Sequence, residues 1–249
     1  MVALTSVEAN SPSGQDTLTS EKFPIPVVLD SGTTLSYLPT DLATQLWKEV
    51  NAKYAPEFDV AVLPCNARNS KGYFSFGFAG PNGPRINVTM DELVLDLTSG
   101  QAPVFTSGSY KGQDVCQFGI QNFTTAPYLL GDTFLRSAYV VYDLVNNEIG
   151  IAPTDFNSTE SNVVAFPSLS AQIPSATVAP DQSEATARPT VTEPAYAAGV
   201  GFQEFNSGTN SAEENAAPAM TPAFGKTQTL VVAATMLLTA LGSGLFLAI

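Results

Sequence analysis

The stretch Val27-Val28-Leu29-Asp30-Ser31-Gly32-Thr33-Thr34 carries one carboxylate from an apolar run onto a hydroxyl-rich turn. The β-favouring residues before Asp30 read as a buried strand, and Gly32 permits a sharp reversal. Ser31, Thr33 and Thr34 place hydroxyl donors around the acid. A carboxylate held in this way can take or give a proton, so the chemistry it offers is general acid–base. An Asp-Ser-Gly turn alone is an ordinary surface turn. A second signature about a hundred residues later changes that reading. Tyr128-Leu129-Leu130-Gly131-Asp132-Thr133-Phe134-Leu135-Arg136 repeats the order of apolar pair, glycine, acid and hydroxyl, then enters the strand-like Tyr139-Val140-Val141-Tyr142-Asp143.

Together the two signatures resemble the C-terminal lobe of pepsin-like aspartic endopeptidases, from roughly Val2 to Pro153. The resemblance rests on Val28 to Thr34, on Leu38-Pro39, on Leu130 to Arg136, and on Tyr142-Asp143 with Asn146-Asn147-Glu148-Ile149-Gly150-Ile151-Ala152. It implies that Asp30 is the second catalytic aspartate of a two-aspartate site, supported by Ser31, Gly32 and Thr33. Ser31 would brace the turn against its counterpart in the other lobe, Thr33 would hydrogen-bond the carboxylate, and Thr34 would lie near a bound polypeptide substrate. Leu129, Leu130 and Gly131 would pack beneath the turn, and Asp132 would be structural. In this chemistry two carboxylates share a proton: one accepts a proton from water while the other stays protonated toward the peptide carbonyl. Only Asp30 stands in such a turn here. Asp16 lies in polar sequence, and Asp91, Asp96 and Asp114 lack the glycine turn. The implied function is aspartic endopeptidase, with the first aspartate expected from an N-terminal lobe outside this sequence. The chain alone is expected to be inactive. A non-catalytic surface glycoprotein that retains the lobe is the alternative.

Composition narrows the chemistry independently. There is no histidine, so Ser-His-Asp and Cys-His mechanisms and the commonest zinc sites are excluded. No glycine-rich phosphate loop is present, and no metal or other cofactor is implied. With 23 acidic and 10 basic residues, the formal net charge of −13 argues against nucleic-acid binding. Cys65 and Cys116, the only cysteines, lie in loop-like sequence and read as one disulfide, with two free thiols as the alternative. Closing a loop of that size stabilises by roughly 4 kcal/mol in the chain-entropy description. Three acceptor sequons, at Asn87, Asn122 and Asn157, accompany the pair and agree with an oxidising compartment.

The elements that must position the turn are mainly short β segments broken by Gly, Pro, Asn and Ser, including Gly72 to Phe78, Arg85 to Met90 and Glu92 to Leu97. The expected fold is therefore mainly β, a single C-terminal lobe of the bilobal pepsin-like acid protease fold over residues 1–155. One helix is predicted after Leu38-Pro39, capped by Thr40, with Leu42, Leu46, Val50 and Tyr54 forming its apolar stripe. The alternation Tyr73-Phe74-Ser75-Phe76-Gly77-Phe78 reads as the buried face of a strand in preference to a groove lining.

Residues 156–229 are rich in Ser, Thr, Ala and Pro and read as a disordered stalk. Residues 230–249 are twenty uncharged residues, long enough as a helix to span about 30 Å. No Lys or Arg follows them, which fits a glycosylphosphatidylinositol (GPI) anchor signal better than a flanked transmembrane helix. Asn215 opens a small-residue triplet suited to anchor attachment, and 12 spacer residues separate that triplet from the apolar run. Lobe, stalk and tail together resemble the fungal yapsin group of surface proteases. The expected location is the cell surface, at plasma membrane or wall, with the membrane reached through the tail or anchor. Met1 to Ser20 contains no signal-peptide apolar core, so Met1 is expected to be an internal residue of a longer enzyme. A tail-anchored protein with a cytosol-facing lobe is the competing account.

Overall fold

The computed structural model of the chain describes residues 1–180, 182 and 188–204. Over these residues the body is mainly β, as the short alternating segments predict. Strand β1 (Val2–Ser11) reverses into β2 (Gly14–Leu18), and β3 (Ile25–Leu29) and β4 (Ser36–Pro39) flank the Asp30 turn. Helix α1 (Thr40–Val50) follows β4 directly, then come β5 (Lys53–Ala55), β6 (Val60–Pro64) and a 3-10 turn over Cys65–Asn69. The hairpin β7 (Tyr73–Phe78) and β8 (Arg85–Thr89) leads into a one-turn helix, α2 (Met90–Leu93), and β9 (Val94–Asp96). Next are β10 (Val115–Phe118), β11 (Ile120–Phe123) and β12 (Tyr128–Leu130). Helix α3 (Asp132–Leu135) precedes the hairpin β13 (Ala138–Asp143) and β14 (Glu148–Pro153), and α4 (Gly199–Phe202) is the last described element.

The main sheet has the order β11-β4-β12-β3-β1-β7-β8, with β2 beside β1. Two of its pairings are parallel: β12 lies along β3 with Leu130 opposite Leu29, and β11 lies along β4. These pairings bring the two sequence signatures side by side. On these strands burial alternates: Val27, Leu29, Tyr128 and Leu130 face the core, whereas Pro26 is exposed and Val28 and Leu129 are only partly buried. On β7 the three phenylalanines face the core. Phe76 and Phe78 meet Phe134 edge-on, while Phe74 stacks on Phe202. The aromatic alternation is thus packing.

Helix α1 buries Leu42, Leu46 and Val50, and the Trp47 indole donates to the Ile120 carbonyl at 2.8 Å. Two expectations for this helix need correction. Thr40 does not cap it: Pro39 occupies the capping position, no side chain caps the end, and the Thr40 carbonyl accepts the Thr44 hydroxyl. Tyr54 does not continue its stripe, because Asn51 adopts a left-handed φ of 54° and ends the helix. Tyr54 instead lies exposed on β5 and bonds to Asp59. Similarly, Glu92 belongs to α2 and the following strand starts at Val94. An acidic pair, Asp91 and Glu92, in the first turn suits a helix start.

Cys65 and Cys116 form a disulfide with Cα atoms 4.8 Å apart, linking the 3-10 turn to β10. Replacing both with alanine is expected to lower stability by about 2–4 kcal/mol, measured by urea unfolding of the oxidised parent against the variant. Asn87 and Asn157 are exposed, whereas Asn122 is half-buried on β11.

The change of composition at residue 156 does not mark the end of the packed body. The segment 192–202 lies against β1, β2 and α1, in the same compact unit. Ala198 and Phe202 are fully buried. The physical reason is local: one aromatic ring with small neighbours can enter the core even where the surrounding composition is polar. Asn215 and residues 230–249, on which the anchor expectation rests, lie outside the described residues.

Candidate active site

Asp30 sits at the carboxyl end of β3, where its amide donates to the Leu130 carbonyl of the adjacent parallel strand at 3.0 Å. Its side chain bends back over the turn. The Gly32 amide donates to Oδ1 at 3.0 Å, and the Thr33 hydroxyl donates to Oδ2 at 2.5 Å. Each carboxylate oxygen therefore has its own donor, so both the position and the orientation of the acid are set by a four-residue turn. The acid remains half-exposed, and Ser31, Gly32 and Thr34 are exposed at the turn surface.

The second signature holds this turn from below. The Asp132 amide donates to the Thr33 carbonyl at 2.8 Å and the Thr133 amide to the Thr34 carbonyl at 3.1 Å. Gly131 is required by this close approach, since a Cβ there would lie 2.2 Å from the Thr33 carbonyl oxygen and 2.4 Å from that of Leu35. Ser36 and Thr133 join hydroxyls at 3.1 Å, and Thr133 also contacts the Gly119 carbonyl at 3.0 Å. These buried polar groups are mutually satisfied and tie β4, β12 and α3 into one platform. Asp132 itself opens α3, with its backbone engaged in the platform.

Sequence reasoning assigned no role to Tyr142. Its hydroxyl donates to the carbonyl of Leu29, the residue before Asp30, at 2.9 Å. Burial first, and then the charge of Asp30, push its phenol up from the ordinary value. The signal available was one of two tyrosines on the short strand Ala138–Asp143. Tyr142→Phe is expected to lower stability by about 0.5–1.5 kcal/mol, read from the denaturation midpoint at constant m-value.

Elsewhere, Cys65, Asp96 and Cys116 converge within 4.8 Å. Both sulfurs are consumed by the disulfide, and Asp96 pairs with Arg68 at 2.6 Å, so this cluster offers no thiolate ligand set.

The site is thus a carboxylate fixed on a glycine turn, above a threaded second loop in a mainly β lobe. The family model described as eukaryotic aspartyl protease matches residues 2–154, and the chain belongs to that family. It is 42% identical over 184 residues to the probable aspartic-type endopeptidase OPSB of Arthroderma benhamiae, covering 73% of this chain and 36% of the relative. Its identity to the probable aspartic-type endopeptidase opsB of Aspergillus fumigatus is 40% over 180 residues, covering 71% and 34%. The aspartic proteinase yapsin-3 of Saccharomyces cerevisiae is 34% identical over 164 residues, covering 66% and 28%. The chain thus spans about a third of the length of these curated relatives.

Proposed function

We propose that Asp30 is one of the two catalytic carboxylates of an aspartic endopeptidase and that a companion lobe supplies the other. The observation carrying this reading is the separate donor on each oxygen of a half-exposed acid. A water held between two such carboxylates loses a proton to one while the other donates to the scissile carbonyl, and the oriented turn keeps reorganisation small. Ser31 would meet the companion turn, and Thr34 would lie along the polypeptide substrate. The β13–β14 hairpin exposes Tyr139, Leu144 and Val145 beside Tyr142, an apolar surface suited to cover by that lobe. By this reading the chain is inactive alone.

The test is peptide cleavage at acidic pH by the chain joined to a companion lobe, with competition by a statine-type transition-state mimic. Cleavage blocked by the mimic supports the reading. No cleavage and no binding of the mimic would favour a non-catalytic surface glycoprotein, which the single Asp-Ser-Gly turn in the sequence also allows.

We further propose a GPI-anchored location at the cell surface, like that expected of a yapsin-type enzyme. Support comes from the uncharged residues 230–249, the small residues at Asn215, the sequons at Asn87, Asn122 and Asn157, and the disulfide. Release of the protein from intact cells by a phosphatidylinositol-specific phospholipase would support anchoring, and retention on the membrane would contradict it.

A further inference from the structure

Glu49, near the end of α1, turns its carboxyl into the protein and is 0% exposed. Neither of its oxygens has a hydrogen-bond partner when the group is ionised. The ionisable group facing it is another acid, Asp16 of β2, which is 5% exposed. Two ionised carboxylates are acceptors only, so they can bond to each other only when a proton lies between them. Among the described residues, no cation offsets the pair, and no salt bridge includes Asp16 or Glu49. Lys48, the neighbouring cation on α1, pairs instead with Glu193 at 2.9 Å and lies over the Tyr196 ring at 5.2 Å. From β1 the nearby contact to the segment is the neutral Ser11.

The segment 192–204 lies across this pair as a strap. Its Ala198 amide donates to Asp16 Oδ2 at 2.7 Å, and Ser11 returns a hydroxyl to the Ala198 carbonyl at 2.6 Å. Gly199 passes so close that a Cβ would lie 3.4 Å from Glu49 Oε2 and 3.3 Å from the Glu49 carbonyl oxygen. The strap therefore forms the lid that keeps water from the acids, and lifting it would hydrate both.

We propose that Asp16 and Glu49 form an acid-dependent clasp in which a proton shared between the two carboxyls keeps the strap seated, and loss of that proton in alkaline medium releases it. The inference rests on packing around the strap and stands whether or not Asp30 is catalytic. Burial first, and then the charge and hydrogen bond of Asp16, push Glu49 up to about 8 from its ordinary 4.5. The seated state thus holds a proton that the lifted state has released. The clasp is fully engaged below the ordinary carboxyl range and weakens as pH rises toward 8, by up to tenfold per pH unit.

Hydrogen exchange of the full chain between pH 5 and 9 tests this, expressed as protection factors for 192–204 against a reference peptide from β7. Strap protection in the parent should fall by up to about tenfold per pH unit to about pH 8 and then level off, while β7 remains protected. Glu49→Gln, which carries a neutral group of the same shape, should flatten the profile. Asp16→Asn, the second variant should the first fail to fold, should make it shallower. A flat profile in the parent, an unchanged slope in the variants, or parallel loss of protection in β7 would overturn the clasp.

Discussion

By the proposed mechanism, Asp30→Asn in the chain joined to a companion lobe is expected to lower kcat by at least about 10³-fold while leaving KM nearly unchanged. Asparagine has the same shape, and its side-chain oxygen can still accept the Gly32 amide that now reaches Oδ1 at 3.0 Å. What it lacks is a group able to take a proton from water, as the proposed mechanism requires. Because the turn is also held through its backbone, by the Asp132 and Thr133 amides, the melting temperature should change little. Steady-state kinetics with a quenched peptide, together with a melt of each protein, separates chemistry from folding. Full activity in the variant would remove Asp30 from the mechanism.

Phe202→Ala is expected to be the most destabilising single truncation in the strap, at about 3–5 kcal/mol, or a fall in melting temperature on the order of 10 °C. The ring is fully buried, stacks on Phe74 with centroids 4.9 Å apart, and fills the space left by Gly72. A Cβ at Gly72 would sit 2.3 Å from that ring, so the two positions are complementary in shape. Truncation leaves a cavity against Phe74 that the surrounding strands cannot close, because β7 is held on both sides by β1 and β8. Urea unfolding provides the measurement. A loss below about 1 kcal/mol would mean that the strap contributes little to the core.

The parts of the site visible in the sequence were those encoded within a few residues. An apolar strand, an acid, a glycine and two threonines define the Asp30 turn, and every donor to its carboxylate lies within three positions. The periodic stripe of α1 was equally legible through Val50. Its end was not, because Asn51 stops the helix by a backbone conformation that hydrophobic spacing does not reveal. The role of Tyr142 is not legible in its motif, since its hydroxyl acts on a carbonyl 113 positions away.

The strap was hidden for another reason. Averaging over a Ser/Thr/Ala/Pro-rich stretch dilutes one phenylalanine, and its partner Phe74 belongs to a different part of the sequence. Asp16 lies in polar sequence, yet it shares the inward face of β2 with Leu18.

The sequence by itself determined the family-type turn around Asp30, the mainly β body and the single pair of cysteines, because strand alternation, turn chemistry and cysteine count are local properties. Tertiary structure alone decided how closely Gly131, already expected beneath the turn, approaches the Thr33 carbonyl, that Tyr142 braces Leu29, and that 192–202 closes over two buried acids. Each of these depends on parallel pairing, close backbone approach or desolvation by a distant segment, and the energy of such contacts is set by what the fold brings together.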